Sequence, residues 1–203
     1  MGEEPQDQAA AAVAIRRPAA RAVGTAVVRR AERRAAVAQW LLSAAPNARE
    51  AKAEWDRYGI AVLACGGVLS AVRVPGELVW AAAGTEDHAE ADVFLTDWLD
   101  DGAVVMDRHA GLYYFLVPAL MGRLWNPKAF HKVECLGSNS YLGVPLVDHT
   151  IPEGRAYWAV EMDSPGALCW PDEVAALLHR GQTALGGQTA PRPVPRLLAE
   201  RFG

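Results

Sequence analysis

The sequence predicts an α+β domain, a mostly antiparallel sheet with flanking helices, behind a helical Ala/Arg-rich N-terminal extension. Two observations carry that reading. Short β-rich apolar runs recur between Gly- and Pro-marked turns from residue 60 onward. Stretches of helix formers with apolar residues at helical spacing lie before and between those runs. A third observation bounds it: 203 residues suit one core plus an extension better than two cores.

Residues 1–54 read as the extension. Up to residue 24 it combines an alanine run with Pro18 and is expected to be partly disordered. Residues 25–45 hold no Gly or Pro and are expected to be helical, with an alanine side that turns apolar only at Val37, Trp40, Leu41 and Leu42. Pro46 and Asn47 break that helix, and 48–58 reads as a short second one closed by Gly59. Arg16, Arg17, Arg29, Arg30, Arg33 and Arg34 crowd this segment. They offer a basic arm for nucleic acid, against the plainer reading of a solvated face.

The body is expected to span 55–181. Runs 60–65 and 68–74 flank Gly66-Gly67, which predicts a hairpin, because primed turns need positive φ. Pro75 ends the second run and opens a helix carrying Leu78, Val79 and Trp80. After the polar break at Gly84, residues 89–101 read as an amphipathic helix with Val93, Phe94, Trp98 and Leu99 on or near its buried side. Runs 103–106 and 112–117 form the next pair of strands, joined by a polar loop holding Asp107 and His109. Short strands are expected at 133–136, 141–144 and 157–162. Pro171 starts a last helix that Gly181 should end, leaving 182–203 as a loose tail in which Leu197, Leu198 and Phe202 could dock.

The chain is mildly acidic, with a formal charge of -4, and that balance announces neither nucleic acid nor an anionic membrane. Cys65, Cys135 and Cys169 are widely spaced and form no Cys-x-x-Cys pair, so reduced thiols in a cytoplasmic protein are expected. No apolar run approaches a membrane span, so no membrane is expected as a partner.

No complete catalytic motif is present, and no cofactor is expected. Asp97, Asp100 and Asp101 should share one face at the end of a helix, where the macrodipole disfavours them, with Asp107 close by. The five histidines share no metal-ligand spacing. The loop holding Asn139 and leading to Tyr141 exposes backbone donors as phosphate loops do, but its composition also suits a plain turn. Trp55, Trp80 and Trp98 read as core; Trp125, Trp158 and Trp170 lie near loops or strand ends. Arg73 interrupts an apolar strand, so it faces solvent or reaches into a cleft. Arg73, Asp107, His109, Asn139 and Tyr141 are thus the candidate binding residues.

From residue 60 to 180 the pieces resemble small bacterial proteins related to the N-terminal domain of bifunctional DNA primase/polymerases. The residues are Ala71-Val72-Arg73-Val74-Pro75, Ala103 to Val105, Tyr113-Tyr114-Phe115-Leu116-Val117-Pro118, Leu136-Gly137, Tyr141-Leu142-Gly143-Val144-Pro145, and Pro165-Gly166-Ala167-Leu168-Cys169. The resemblance implies an RRM-like sheet, nucleotide and template binding, and divalent-metal phosphoryl transfer. It also implies a metal-binding Asp-x-Asp/Glu strand and a phosphate-binding histidine. The strand that should carry the acids reads Leu69-Ser70-Ala71-Val72-Arg73, and no histidine precedes Tyr141. Two-metal chemistry needs carboxylate oxygens. The resemblance therefore implies a degenerate, non-catalytic copy that binds nucleotide, nucleic acid or a protein partner. Convergence of Ser70, Arg73, Asp107 and Tyr141 on one open sheet face would support that ancestry, and their dispersal would end it. A small-molecule enzyme working through the Asp107, His109 and Tyr141 loops is the alternative, and a scaffold or regulatory protein a third.

Overall fold

The computed structural model describes residues 19–126 and 129–189. The chain divides into Met1–Glu32 and Arg33–Gly203. Arg16, Arg17 and the residues around Pro18 lie outside the described residues, as do Leu197, Leu198 and Phe202.

Helix α1 (Ala19–Leu42) is followed by α2 (Ala48–Tyr58). Asn47 starts α2 by accepting bonds from the Arg49 and Glu50 N–H groups, and Gly59 ends it in the left-handed region at φ 72. Val37, Leu41, Leu42, Ala44, Ala51 and Trp55 are all buried in the core. The second unit, from Arg33, therefore includes these core residues of the segment read from the sequence as extension.

The strands are β1 (Ile60–Ala64), β2 (Leu69–Pro75), β3 (Val104–Asp107), β4 (Leu112–Pro118), β5 (Glu134–Leu136), β6 (Tyr141–Pro145) and β7 (Ala156–Val160). All pairings are antiparallel. β5-β2-β4-β3-β7 form a five-stranded sheet, while β1 pairs only with β6. The expected β1–β2 hairpin does not form. Ala61, Leu63 and Cys65 of the first run bury into the same core cluster as Leu69 and Ala71 of the second. The two runs thus meet face to face across that core. Gly66, at φ 88, turns the chain from one sheet to the other.

Helices α3 (Gly76–Ala83), α4 (His88–Trp98) and α6 (Pro171–Thr189) pack on the opposite face of the five-stranded sheet, and the single turn α5 (Met121–Leu124) follows β4. In α4 the buried residues are Ala91 and Leu95, with Leu99 just beyond, whereas Val93 points out at 61% exposure. Leu99 has extended dihedrals, so Asp100 and Asp101 fall outside the helix. The Asp101 carboxylate accepts the Gly102 N–H, and the Asp100 N–H donates to Glu173. The expected acidic helix face is absent.

Gly181 does not end α6. It lies buried mid-helix, where a Cβ would overlap the Leu78 carbonyl of α3. Its missing side chain sets the contact between the two helices, so the helix runs eight residues into the expected loose tail. Trp158 lies within the strand expected at 157–162. It is buried on β7 and donates its indole N–H to the Leu146 carbonyl.

Candidate binding groove on the open half of the sheet

The pleat assigns every residue of the five-stranded sheet to one of two faces. Val72, Val74, Val104, Met106, Tyr113, Phe115 and Tyr157 face α3, α4 and α6. Ala71, Val105, Leu116 and Trp158 face the core formed with α1, α2 and the β1–β6 ribbon. That second face is covered along only part of its length. In register across it lie Glu134, Arg73 and Tyr114, and all three keep contact with solvent.

Tyr114 stands at the centre of this patch on β4. Arg73, its β2 partner, donates to the Glu134 carboxylate at 3.1 Å. Burial raises the Tyr114 phenol above its usual range, and the nearby charges of Asp107, Arg73, Glu134 and Arg155 act on it in addition. Two cations and two anions therefore surround one half-buried aromatic ring. Tyr114, Asp107, Arg155 and Ala156 form one wall of a groove of about 640 Å³, and Glu54, Tyr58, Ile60, Val62, Leu142 and Gly143 form the other. A second hollow of about 370 Å³ shares Tyr58, Ile60, Arg155 and Ala156 with it and extends to Asp148 and His149.

Most of the charged groups here are already engaged. One Asp107 oxygen accepts the His109 and Ala110 N–H groups at 3.0 Å each, which folds the β3–β4 turn back on its own carboxylate. Glu54 accepts the Val62 N–H at 2.9 Å. Arg155 is exposed, and its guanidinium makes no ion pair among the described residues. The charged residues lining the groove are thus Glu54, Asp107 and Arg155, and the two carboxylates keep their charge because their donors are neutral amides.

Of the sequence-derived candidates, Arg73 and Asp107 meet around Tyr114. His109 is exposed at the tip of the turn and does not line the groove. Asn139 holds a left-handed turn conformation at φ 67. Tyr141 is 60% exposed and pairs with Ala64, at the end of the ribbon away from Ile60. Ser70 is fully buried on the helix-covered side and donates to the Ala119 carbonyl. Arg73 and Asp107 thus share the open face, while Ser70 and Tyr141 do not join them. A catalytic set built from Asp107, His109 and Tyr141 has no geometry to support it.

Tyr114, Arg155, Glu134 and Tyr58 were not singled out from the sequence. Arg73 was the available signal, because its cross-strand neighbours on an open face are exposed with it. The three thiols are unpaired, and burial pushes Cys65 and Cys135 up to about 11 and Cys169 up to about 12, so none is a ready nucleophile. Among the described residues no group of three or more His, Cys, Asp or Glu side chains could hold a metal, and no helix is long and apolar enough to cross a membrane. No protein-family model, no curated protein and no solved structure matches this chain.

Proposed function

We propose that this chain is a non-catalytic binding module whose groove takes a nucleotide or a single nucleic-acid strand. One observation carries the reading: an aromatic ring on a central strand of an open sheet face, flanked by arginines. Tyr114 offers a π-face for a base, and Arg155, with no acidic partner among the described residues, offers charge for a phosphate. Sheet faces that bind single strands combine these two elements.

The pleat also sharpens the contrast with a polymerase. The β2 residues that share a face with Tyr114 are Leu69, Ala71 and Arg73, so an arginine stands where an open-face carboxylate would have to project. Binding without phosphoryl transfer follows from that charge reversal. Arg33 is exposed on α1 and would add a sequence-independent phosphate contact, whereas Arg34 is bonded to Glu161 at 3.2 Å.

Fluorescence anisotropy with a short labelled oligo(dT) tests the proposal. Binding should weaken steadily as salt rises. Tyr114→Ala should lose about 1–3 kcal/mol of binding, the range of one base stack. An absence of salt-dependent binding by the full chain at low ionic strength would overturn the reading.

A further inference from the structure

Each carboxylate of the groove is held at one oxygen only. The Asp107 oxygen that accepts the His109 and Ala110 N–H groups leaves its second oxygen without a donor among the described residues. Glu54 likewise accepts the Val62 N–H at one oxygen and leaves the other open. An ionised carboxyl has no proton to donate, so both open oxygens are acceptors and nothing else. The two groups stand on facing walls, Asp107 on the wall of Tyr114 and Glu54 on the wall of Tyr58.

Asp107 is placed to meet whatever lies on Tyr114. Val105 pairs with Tyr114 across β3 and β4, and Asp107 follows Val105 by one pleat, so Asp107 and Tyr114 share a face as diagonal neighbours. A base stacked on the Tyr114 ring therefore has a carboxylate at its edge. That edge must offer N–H groups, because a carbonyl oxygen or a bare ring nitrogen is repelled there. The bases differ on this point. Thymine sets a single N–H between carbonyls, and adenine and cytosine set an amine beside a bare ring nitrogen. Guanine alone sets a ring N–H directly beside an amine, so that donors stand in a row.

We propose that the groove selects guanine, with Asp107 and Glu54 accepting from the ring N–H and the amine of a base stacked on Tyr114. This selectivity rests on the nucleotide reading above and adds a base to it. It also gives the acidic lining a use. The carboxylates weaken the attraction of the groove for phosphate, and in return they tell guanine from the other bases. An acceptor-only site discriminates strongly, because a base without the matching donors leaves the carboxylate oxygens stripped of water and unpaired. Arg155, on the same wall as Asp107, remains to meet the phosphate.

Anisotropy of the full chain with short labelled strands tests this, using oligo(dT) and the same strand with its central base changed to guanine, hypoxanthine or adenine. The guanine strand should bind roughly tenfold more tightly than oligo(dT), within the discrimination given by a good bidentate pair. Adenine offers as large a ring for stacking and should stay near thymine. Hypoxanthine keeps the ring N–H and lacks the amine, so it should forfeit most of the gain with the protein unaltered. Asp107→Asn keeps an oxygen for the His109 and Ala110 N–H groups and should abolish most of the guanine preference. A thermal melt reports whether that variant folds, and the hypoxanthine strand decides independently of it. A guanine strand that binds no tighter than the thymine, adenine or hypoxanthine strand would overturn the selectivity and leave the nucleotide reading standing. A preference undiminished in folded Asp107→Asn would overturn it as well. No binding by any strand would overturn both.

Discussion

The two faces of the five-stranded sheet are built from the same strands and have opposite fates. On one, Val72, Val74, Val104, Phe115 and their neighbours are closed off by α3, α4 and α6. On the other, Leu69, Ala71 and Leu116 are buried under the ribbon, and then the cover stops at Arg73, Tyr114 and Glu134. Along β4 the contrast is one residue wide: Phe115 and Leu116 are fully buried, while Tyr114 is open. The closed face is optimised for packing. The open half holds an exposed ion pair and an aromatic ring that is only partly buried against the core.

The closed face is not wholly apolar. The Trp80 indole donates to the Tyr113 hydroxyl, and the Tyr157 hydroxyl donates to Asp92, each at 3.2 Å. Burial lifts Asp92 to about 7, with the Tyr157 bond lowering it and Asp87 raising it. This carboxyl is a titrating group inside the packed side, and it makes that side the pH-dependent one.

Truncation of the closed face should have the largest effect. Phe115→Ala should cost about 3–5 kcal/mol in urea unfolding, the loss of a fully buried aromatic ring. A cost below about 1 kcal/mol would show that this face is not packed as described. Next comes the helix crossing. Gly181→Ala should cost about 1–3 kcal/mol, because its methyl meets the Leu78 carbonyl, which is backbone and cannot swing aside. No cost at all would show that the two helices do not approach as closely as described.

Asp92 gives a smaller effect with a definite sign. Its folded pKa lies above the unfolded value of 3.8, so the folded state holds the proton more tightly. The stability it contributes is full below about pH 4 and is lost as pH rises through about 7. Asp92→Asn should therefore melt higher than wild type at pH 8 and gain little at pH 4. Because the carboxyl is partly solvated, the difference should be on the order of 1 kcal/mol, or about 2–4 °C in Tm for a domain of this size. The smallest effect belongs to the open half: Arg73→Ala removes an exposed ion pair and should change stability by no more than about 1 kcal/mol.

Much of this contrast was legible in the sequence. Alternation along 68–74 already set Arg73 apart from Val72 and Val74, and Gly59 and Pro75 marked where elements change. The partition into two sheets was not legible. Gly66-Gly67 signals a reversal, but local sequence does not say whether the chain returns beside itself or across a core. Gly181 misled for a related reason. A glycine that caps a helix and one that admits a neighbouring backbone look alike until the neighbour is known. Tyr114 was hidden inside the apolar run Tyr113 to Val117, where only the extent of the ribbon's cover separates it from Leu116 on the same face.

If the groove binds as proposed, its side chains should matter more to binding than to stability. The most direct measurement combines oligo(dT) anisotropy with thermal melting of Tyr114→Ala/Arg155→Ala. The double variant should keep a Tm within a few degrees of wild type and bind at least tenfold more weakly. Retained binding, or a fall in stability comparable to that of Phe115→Ala, would contradict it.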